Sequence, residues 1–215
     1  MTKMLESLSG QVDVEFFEYD RPPVEPLQTV RAWVDAAIRM ACSEPLVMSL
    51  ATSNGSAEVS MRMMATSRFS DRGLVFATHA NSRKGRDISA TKRGCALYYW
   101  REIGRQMTLA GTLHRLEDEE ANSLWYARNP GLHTMTSVSR QSEILVDPSD
   151  LREKDQQLTK SLIHRESPLP RPASFVAFEL VADSVEFWSA CSDRMHKRLR
   201  YEREEGSWGH VRLQP

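Results

Sequence analysis

From Leu27 to Cys42 the apolar residues Val30, Trp33, Val34, Ala37, Ile38 and Ala41 return every three or four positions, the spacing that lines one face of a helix. Thr29 stands where a side-chain oxygen would cap its first turn. The pattern then changes to short apolar runs, 46–52, 57–65 and 74–78, separated by Asn54-Gly55 and Asp71-Arg72-Gly73. Asn-Gly supplies the positive φ angles of a two-residue hairpin, so these runs predict an antiparallel meander.

Asn81 to Asp87 opens a short helix, and two more β-type runs follow at 95–101 and 106–114. Acidic residues from Glu117 to Glu120 start a helix through Tyr126, where carboxylates complement free backbone donors, and Arg128-Asn129-Pro130-Gly131 stops it. A second charged helix is expected from Leu151 to His164. Prolines 168, 170 and 172 mark an extended connector, and runs 175–181 and 184–188 predict a last hairpin before a polar stretch and a short final strand. Many short strands with a few interposed helices give a mainly β (α+β) class, a small barrel with peripheral helices. Residues 1–26, ending in Arg21-Pro22-Pro23 and Val24-Glu25-Pro26, predict an extended surface arm, and 27–215 a single domain.

With 215 residues, 40% of them apolar, the chain can bury a sizeable core. Its 28 basic and 29 acidic residues leave a net charge of -1, which gives no global attraction to nucleic acid or an anionic membrane. The opening lacks a basic start followed by an apolar run, and no stretch approaches the length of a membrane span, so a cytoplasmic protein is expected. Cys42, Cys95 and Cys191 are odd in number and widely spaced, as in a reduced protein. None of the six histidines has a ligand partner at metal-binding spacing, so no metal is expected. Walker, Rossmann and nucleophile-elbow motifs are missing.

Chemistry concentrates at Ser82-Arg83-Lys84-Gly85, at the junction of a strand and a helix. Backbone donors at a helix start together with two cations make a phosphate site, against the simpler reading of a solvated basic turn capped by Ser82. Arg62 shares a strand face with Ser60 and Met64, opposite Val59, Met61 and Met63, and would need an anion if buried. Gln106 alternates with apolar neighbours and offers an amide able to meet a heterocycle.

Taken in order, Arg62-Met63-Met64, Val75 to Thr78, Ser82-Arg83-Lys84, Arg105-Gln106, Arg140-Gln141-Ser142, Glu186-Phe187-Trp188, Arg194-Met195-His196 and the tail from Arg203 to Pro215 resemble the pyridoxamine 5'-phosphate oxidase family. The resemblance runs from about residue 28 to the C-terminus. It implies an FMN-binding split β-barrel, homodimeric, with FMN at the subunit interface. It places Arg62, Ser82, Arg83, Lys84 and Ser142 around the cofactor phosphate, Met63, Met64, Ala65, Thr66, Ser67, Ala77 and Thr78 along the flavin, and Gln106 and Gln141 at its polar edges. Trp188 and Arg198 would come from the other subunit.

The resemblance also assigns the vitamin phosphate to a Lys, a Tyr, an Arg and a Ser, where this chain has Ser67, Leu124, Arg128 and Leu132. One cation of two remains and two hydroxyls have become leucines, which costs a dianionic phosphate charge-assisted bonds of roughly 1.5–3 kcal/mol each. A flatter, more apolar substrate fits better, its carboxylate met by Arg128, Arg194 and His196. This departure is similar to the phenazine-biosynthesis branch, whose members oxidise reduced phenazine carboxylates with FMN, oxygen restoring the flavin. His196 is then a candidate proton acceptor and Arg194 a candidate orienting cation. The rival readings are a vitamin B6 phosphate oxidase and a non-catalytic flavin or heme module on the same barrel.

Overall fold

The structure, a computed structural model, describes residues 15–162 and 168–215. Residues 1–14 of the expected arm and His164 of the expected charged helix lie outside them. The described chain runs α1 (Phe17–Asp20), α2 (Pro26–Arg39), β1 (Val47–Ser53), β2 (Val59–Ala65), β3 (Arg68–Phe69), β4 (Gly73–His79), α3 (Arg83–Thr91), β5 (Arg93–Trp100), β6 (Arg105–Arg115), α4 (Asp118–Ala127), α5 (His133–Val138), α6 (Pro148–Leu162), β7 (Phe175–Ser189), β8 (Lys197–Glu204) and β9 (Ser207–Leu213).

All nine strands join one antiparallel sheet of order β2-β1-β5-β6-β7-β4-β3, with β8 added to β7 and β9 to β8. The simple meander expected from the first runs is therefore broken. β4 does not follow β2 in the sheet but crosses to pair with β7, Gly73 opposite Val181 and His79 opposite Phe175. The expected closing hairpin is instead one strand of 15 residues. Its first half pairs with β4, its second with β8, and nearly its whole length with β6. Asp183 is the extra residue of a bulge opposite Ala110 and Gly111. A bulge bends a strand without reversing it, and Ala182-Asp183 lacks the turn chemistry of a reversal. Gly111 is required there, because a Cβ would stand 2.0 Å from the Val181 carbonyl oxygen.

The β1–β2 turn also differs from expectation. Ser53 pairs with Val59, so five residues form the loop, and the positive φ belongs to Ala57 (62°) and not to Gly55. The Asn54 side chain accepts from the backbone N–H groups of Ser56 and Glu58, which organises the longer turn. Helix α2 starts at Pro26, whose missing N–H costs nothing at a first helical position. Thr29 is accordingly inside the helix and buried, not its cap, and the helix ends before Ala41, leaving Ile38 exposed.

Trp33 and Val34 of α2 pack with Met48, Leu50, Tyr98, Trp100, Met107 and Phe187 in the main core. Phe16 joins them, its ring 4.9 Å from Trp33, and Phe17 to Asp20 coil into a helical turn, so the arm is not wholly a surface strand. A second cluster of Trp125, Leu169 and Phe175 seats α4 on the sheet, fixed by the Trp125 indole N–H donating to the Leu169 carbonyl at 2.7 Å.

Candidate functional site

Two groups of polar side chains stand out, one where β1, β2 and β4 meet α3, the other across β6, β7 and β8. In β2 the alternation of the strand turns Ser60, Arg62 and Met64 inward and leaves Val59, Met61 and Met63 about two-thirds exposed. The Arg62 guanidinium donates through Nη1 to the Leu50 carbonyl (2.9 Å) and Thr52 Oγ1 (2.8 Å), and through Nη2 to Ser60 Oγ (2.5 Å).

Ser82 caps α3, its hydroxyl accepting from the Gly85 N–H at 3.2 Å, so the expected cap and the expected anion site coincide. Gly85 has no room for a side chain, since a Cβ would lie 2.2 Å from the Ala80 carbonyl oxygen and 2.6 Å from that of His79. This close seat turns Lys84 inward while Arg83 stays exposed. Lys84 Nζ donates to Gln141 Oε1 at 2.7 Å and to Ser82 Oγ at 3.4 Å, and Thr78 Oγ1 donates to the same Gln141 oxygen at 3.3 Å. Burial, and then the charge of Arg62, push the Lys84 ammonium down to about 8. Burial lowers Arg62 as well, with Asp87 opposing and Arg83 adding to the shift. Three cations thus share one neighbourhood with one carboxylate, Asp87, an imbalance that a phosphate would offset.

The second group is a cleft of about 190 Å³ lined by Gln106, Thr108, Glu186, Trp188, Arg198 and Pro215. Cross-strand pairing builds it: Gln106 faces Trp188, Thr108 faces Glu186, and Trp188 faces Arg198. Arg198 is held by Glu186, with Nε and Nη2 at 2.8 and 2.7 Å from one carboxylate oxygen, and by the Gln214 carbonyl at 3.2 Å. At the end of β7 the His196 ring lies 4.8 Å from that of Trp188, and Arg194 takes a positive φ of 68° in the turn between them.

Other expected residues fall as follows. Ser67 and Ala65 are exposed, Met64 packs on the core, and Ala77 touches the second cluster. The Thr66 hydroxyl is bonded to the Tyr98 hydroxyl inside the core, and its backbone N–H donates to the Leu46 carbonyl at 2.8 Å. Ser142 is exposed with a φ of 71°. Leu124 packs beside Trp125 and Leu169, whereas Leu132 is 53% exposed. The Arg128 guanidinium lies over the rings of Phe175 (5.2 Å) and Trp125 (5.8 Å) and reaches Thr136 Oγ1 at 3.4 Å.

Sequence reasoning missed Asp87, Glu186 and His79. Asp87 ends the basic run, one turn beyond Lys84 on the buried side of α3, and Glu186 alternates with Trp188; both spacings were available signals. His79 is buried at the end of β4, its imidazole pushed down by burial and by the charges of Lys84 and Arg128, all of which favour its neutral form. Among the described residues no group of three metal-ligating side chains converges, and no helix is long and apolar enough to cross a membrane.

The fold and these two groups define a protein class, and comparisons with known proteins identify it. Residues 34–155 match the model of pyridoxamine 5'-phosphate oxidase and residues 175–215 that of the pyridoxine 5'-phosphate oxidase C-terminal dimerisation region. The chain belongs to the pyridoxamine 5'-phosphate oxidase family, and is an oxidoreductase built on its split barrel with a dimerisation region. Within that family it is 42% identical, over 100% of its length and 99% of the relative's, to dihydrophenazinedicarboxylate synthase of Burkholderia lata. It is 35% identical to the pyridoxine/pyridoxamine 5'-phosphate oxidase of Rubrobacter xylanophilus, over 89% of this chain and 87% of that one. The crystal structure of PhzG from Burkholderia lata 383 in complex with tetrahydrophenazine-1-carboxylic acid superposes with a TM-score of 0.92 at 42% identity, covering 96% of this chain and 100% of that chain.

Proposed function

We propose that the chain is an FMN-dependent oxidase of reduced phenazine carboxylates in phenazine biosynthesis, with oxygen as the final electron acceptor. FMN, when bound, supplies a flat two-electron acceptor that oxygen can restore. The chain's own contribution is binding and alignment. Arg62, Arg83, Lys84, Ser82 and Ser142 take the phosphate; Met63 to Ser67, Ala77 and Thr78 border the ring system, and Gln141 its polar edge. The cleft of Gln106, Trp188 and Arg198 supplies the other half-site, brought by a second copy of the chain through the dimerisation region. Residues 27–215 form this flavin-binding unit, with the N-terminal segment as an arm.

The observation that carries the substrate reading is Arg128, a cation held over the rings of Phe175 and Trp125 with Leu124 packed on the same cluster. Leu124 and Leu132 stand where the family resemblance assigns hydroxyls, and Ser67 where it assigns a lysine, so little remains to hold a dianionic phosphate. Arg128, Arg194 and His196 remain to meet a carboxylate. The PhzG complex, 42% identical, supports the same substrate class.

The test is anaerobic mixing of the flavin-loaded protein with a reduced phenazine carboxylate and, separately, with pyridoxine 5'-phosphate, following the flavin's long-wavelength absorbance. Bleaching by the phenazine alone is expected. Bleaching by the vitamin phosphate alone would assign the protein to B6 metabolism, and in that case a Ser67→Lys, Leu124→Tyr double variant would change little.

A further inference from the structure

Arginine carries five N–H donors, and three of those on Arg62 are committed inside the chain, to Leu50, Thr52 and Ser60. Both Nη1 donors are used and one of the two on Nη2. Nε–H and the other Nη2–H, adjacent on the guanidinium, meet no acceptor among the described residues. Two neighbouring donors of this kind match two oxygens of one phosphate.

What fixes that assignment of donors is Asp87. Its Oδ2 accepts from Thr52 Oγ1 at 2.8 Å and from Ser60 Oγ at 2.8 Å, while Arg62 Nη2 stays 3.9 Å away. A hydroxyl has one proton to give. With both protons drawn to the carboxylate, the two oxygens can only accept from Arg62, and they lie 3.5 Å apart on either side of its end. Asp87 is 5% exposed, so this arrangement is shielded from water.

We propose that Asp87 is a positioning residue for the anion site: acting through Thr52 and Ser60, it occupies the end of the Arg62 guanidinium and keeps the Nε edge open for a phosphate. It thereby sets the preference of the site for a phosphorylated flavin over the unphosphorylated one. The inference rests on the reading of Arg62 as a ligand of the FMN phosphate.

Two physical roles for a buried carboxylate near a phosphate site predict opposite signs. As a mere negative charge, Asp87 repels the phosphate, and its removal tightens FMN binding. As a positioning group it aligns a donor pair, and its removal loosens FMN binding although the site gains positive charge.

The experiment is titration of the flavin-stripped full-length protein with FMN and with riboflavin, read by quenching of flavin fluorescence. Asp87→Ala is expected to weaken FMN by about tenfold or more, the equivalent of one charge-assisted bond, and to leave riboflavin unchanged. Asp87→Asn, which retains an acceptor oxygen for the two hydroxyls, is expected to stay within about threefold of wild type, a margin well below the loss of one such bond. A Thr52→Val, Ser60→Ala double variant cuts the link with Asp87 in place and should repeat the loss, which keeps the test decisive where Asp87→Ala does not fold. Unchanged or tighter FMN binding by these variants would overturn the inference, as would an equal loss for both flavins. A wild-type protein that binds both flavins equally would instead overturn the reading of Arg62 as a phosphate ligand, and the inference with it.

Discussion

The backbone N–H of Cys191 donates to His196 Nδ1 at 3.1 Å. A neutral imidazole that accepts at Nδ1 carries its proton on Nε2, so the free nitrogen is a donor. In that tautomer His196 offers a ligand a donor, where the sequence reading has it as a candidate proton acceptor. Its Nε2–H suits a carboxylate, beside the Trp188 ring against which it leans. His196→Ala is therefore expected to raise KM for a reduced phenazine carboxylate by about tenfold, one hydrogen bond to a charged group, with a smaller change in kcat. Steady-state kinetics across pH 6–9 check this; a kcat loss that grows toward low or high pH would restore the proton-transfer role.

Lys84 links the anion site to pH. Its ammonium is pushed down to about 8 in the folded chain, by burial first and by Arg62 second. A bound phosphate favours the charged form, so above that pH binding must take up a proton. The sign follows: FMN affinity of the stripped protein is level around pH 7, where the phosphate is already close to dianionic, and falls as pH rises through about 8, by up to about tenfold per unit. Lys84→Gln should bind FMN more weakly at pH 7 and lose this slope. Fluorescence titration at pH 7, 8 and 9 measures both.

Much of this site was open to reading from the residues. Ser82, Arg83 and Lys84 sit in a short local motif whose cap and helix start are set by neighbours within four positions, and the structure shows that cap. The alternation of β2 likewise grouped Arg62 with Ser60 and Met64 on one face, and pairing with β1 turns that face inward. What escaped the sequence depends on long-range pairing. The crossing of β4 to β7 joins residues about 100 positions apart, and the bulge at Asp183 is set by pairing with Ala110 and Gly111, about 70 positions away. Thr66 illustrates the same limit: the Tyr98 hydroxyl that claims its side chain lies 32 residues away.

Gly85 shows how narrowly α3 is seated. A Cβ there would meet two backbone carbonyl oxygens, at 2.2 and 2.6 Å, and neither can swing aside as a side-chain end can. Gly85→Ala must then shift the first turn of α3, which carries the Ser82 cap and Lys84. A loss of stability of about 1–3 kcal/mol is expected, the range for overpacking a tight site. FMN should weaken in parallel, because the donors move with the turn. Thermal unfolding with and without FMN tests this: a variant with wild-type Tm and wild-type stabilisation by FMN would show that the turn has slack.

The two polar groups of one chain occupy different parts of its sheet, Arg62 and Lys84 by β2 and α3, Gln106, Trp188 and Arg198 across β6 to β8. β2 is an edge strand, and on it Val59, Met61 and Met63 expose an apolar face 62–65% open. With a dimerisation region at 175–215, a full flavin site is proposed to join the first group of one copy to the second group of the other. Complementation tests this directly. Arg62→Ala and Arg198→Ala chains should each bind FMN poorly alone, since each breaks both sites of its own homodimer. In a mixed dimer one site collects both lesions and the other none. Random re-pairing makes about half the dimers mixed, so about a quarter of the wild-type flavin sites should return, counted by bound FMN after unfolding and refolding the two chains together. Recovery no greater than the sum of the two variants alone would place each flavin site within one chain.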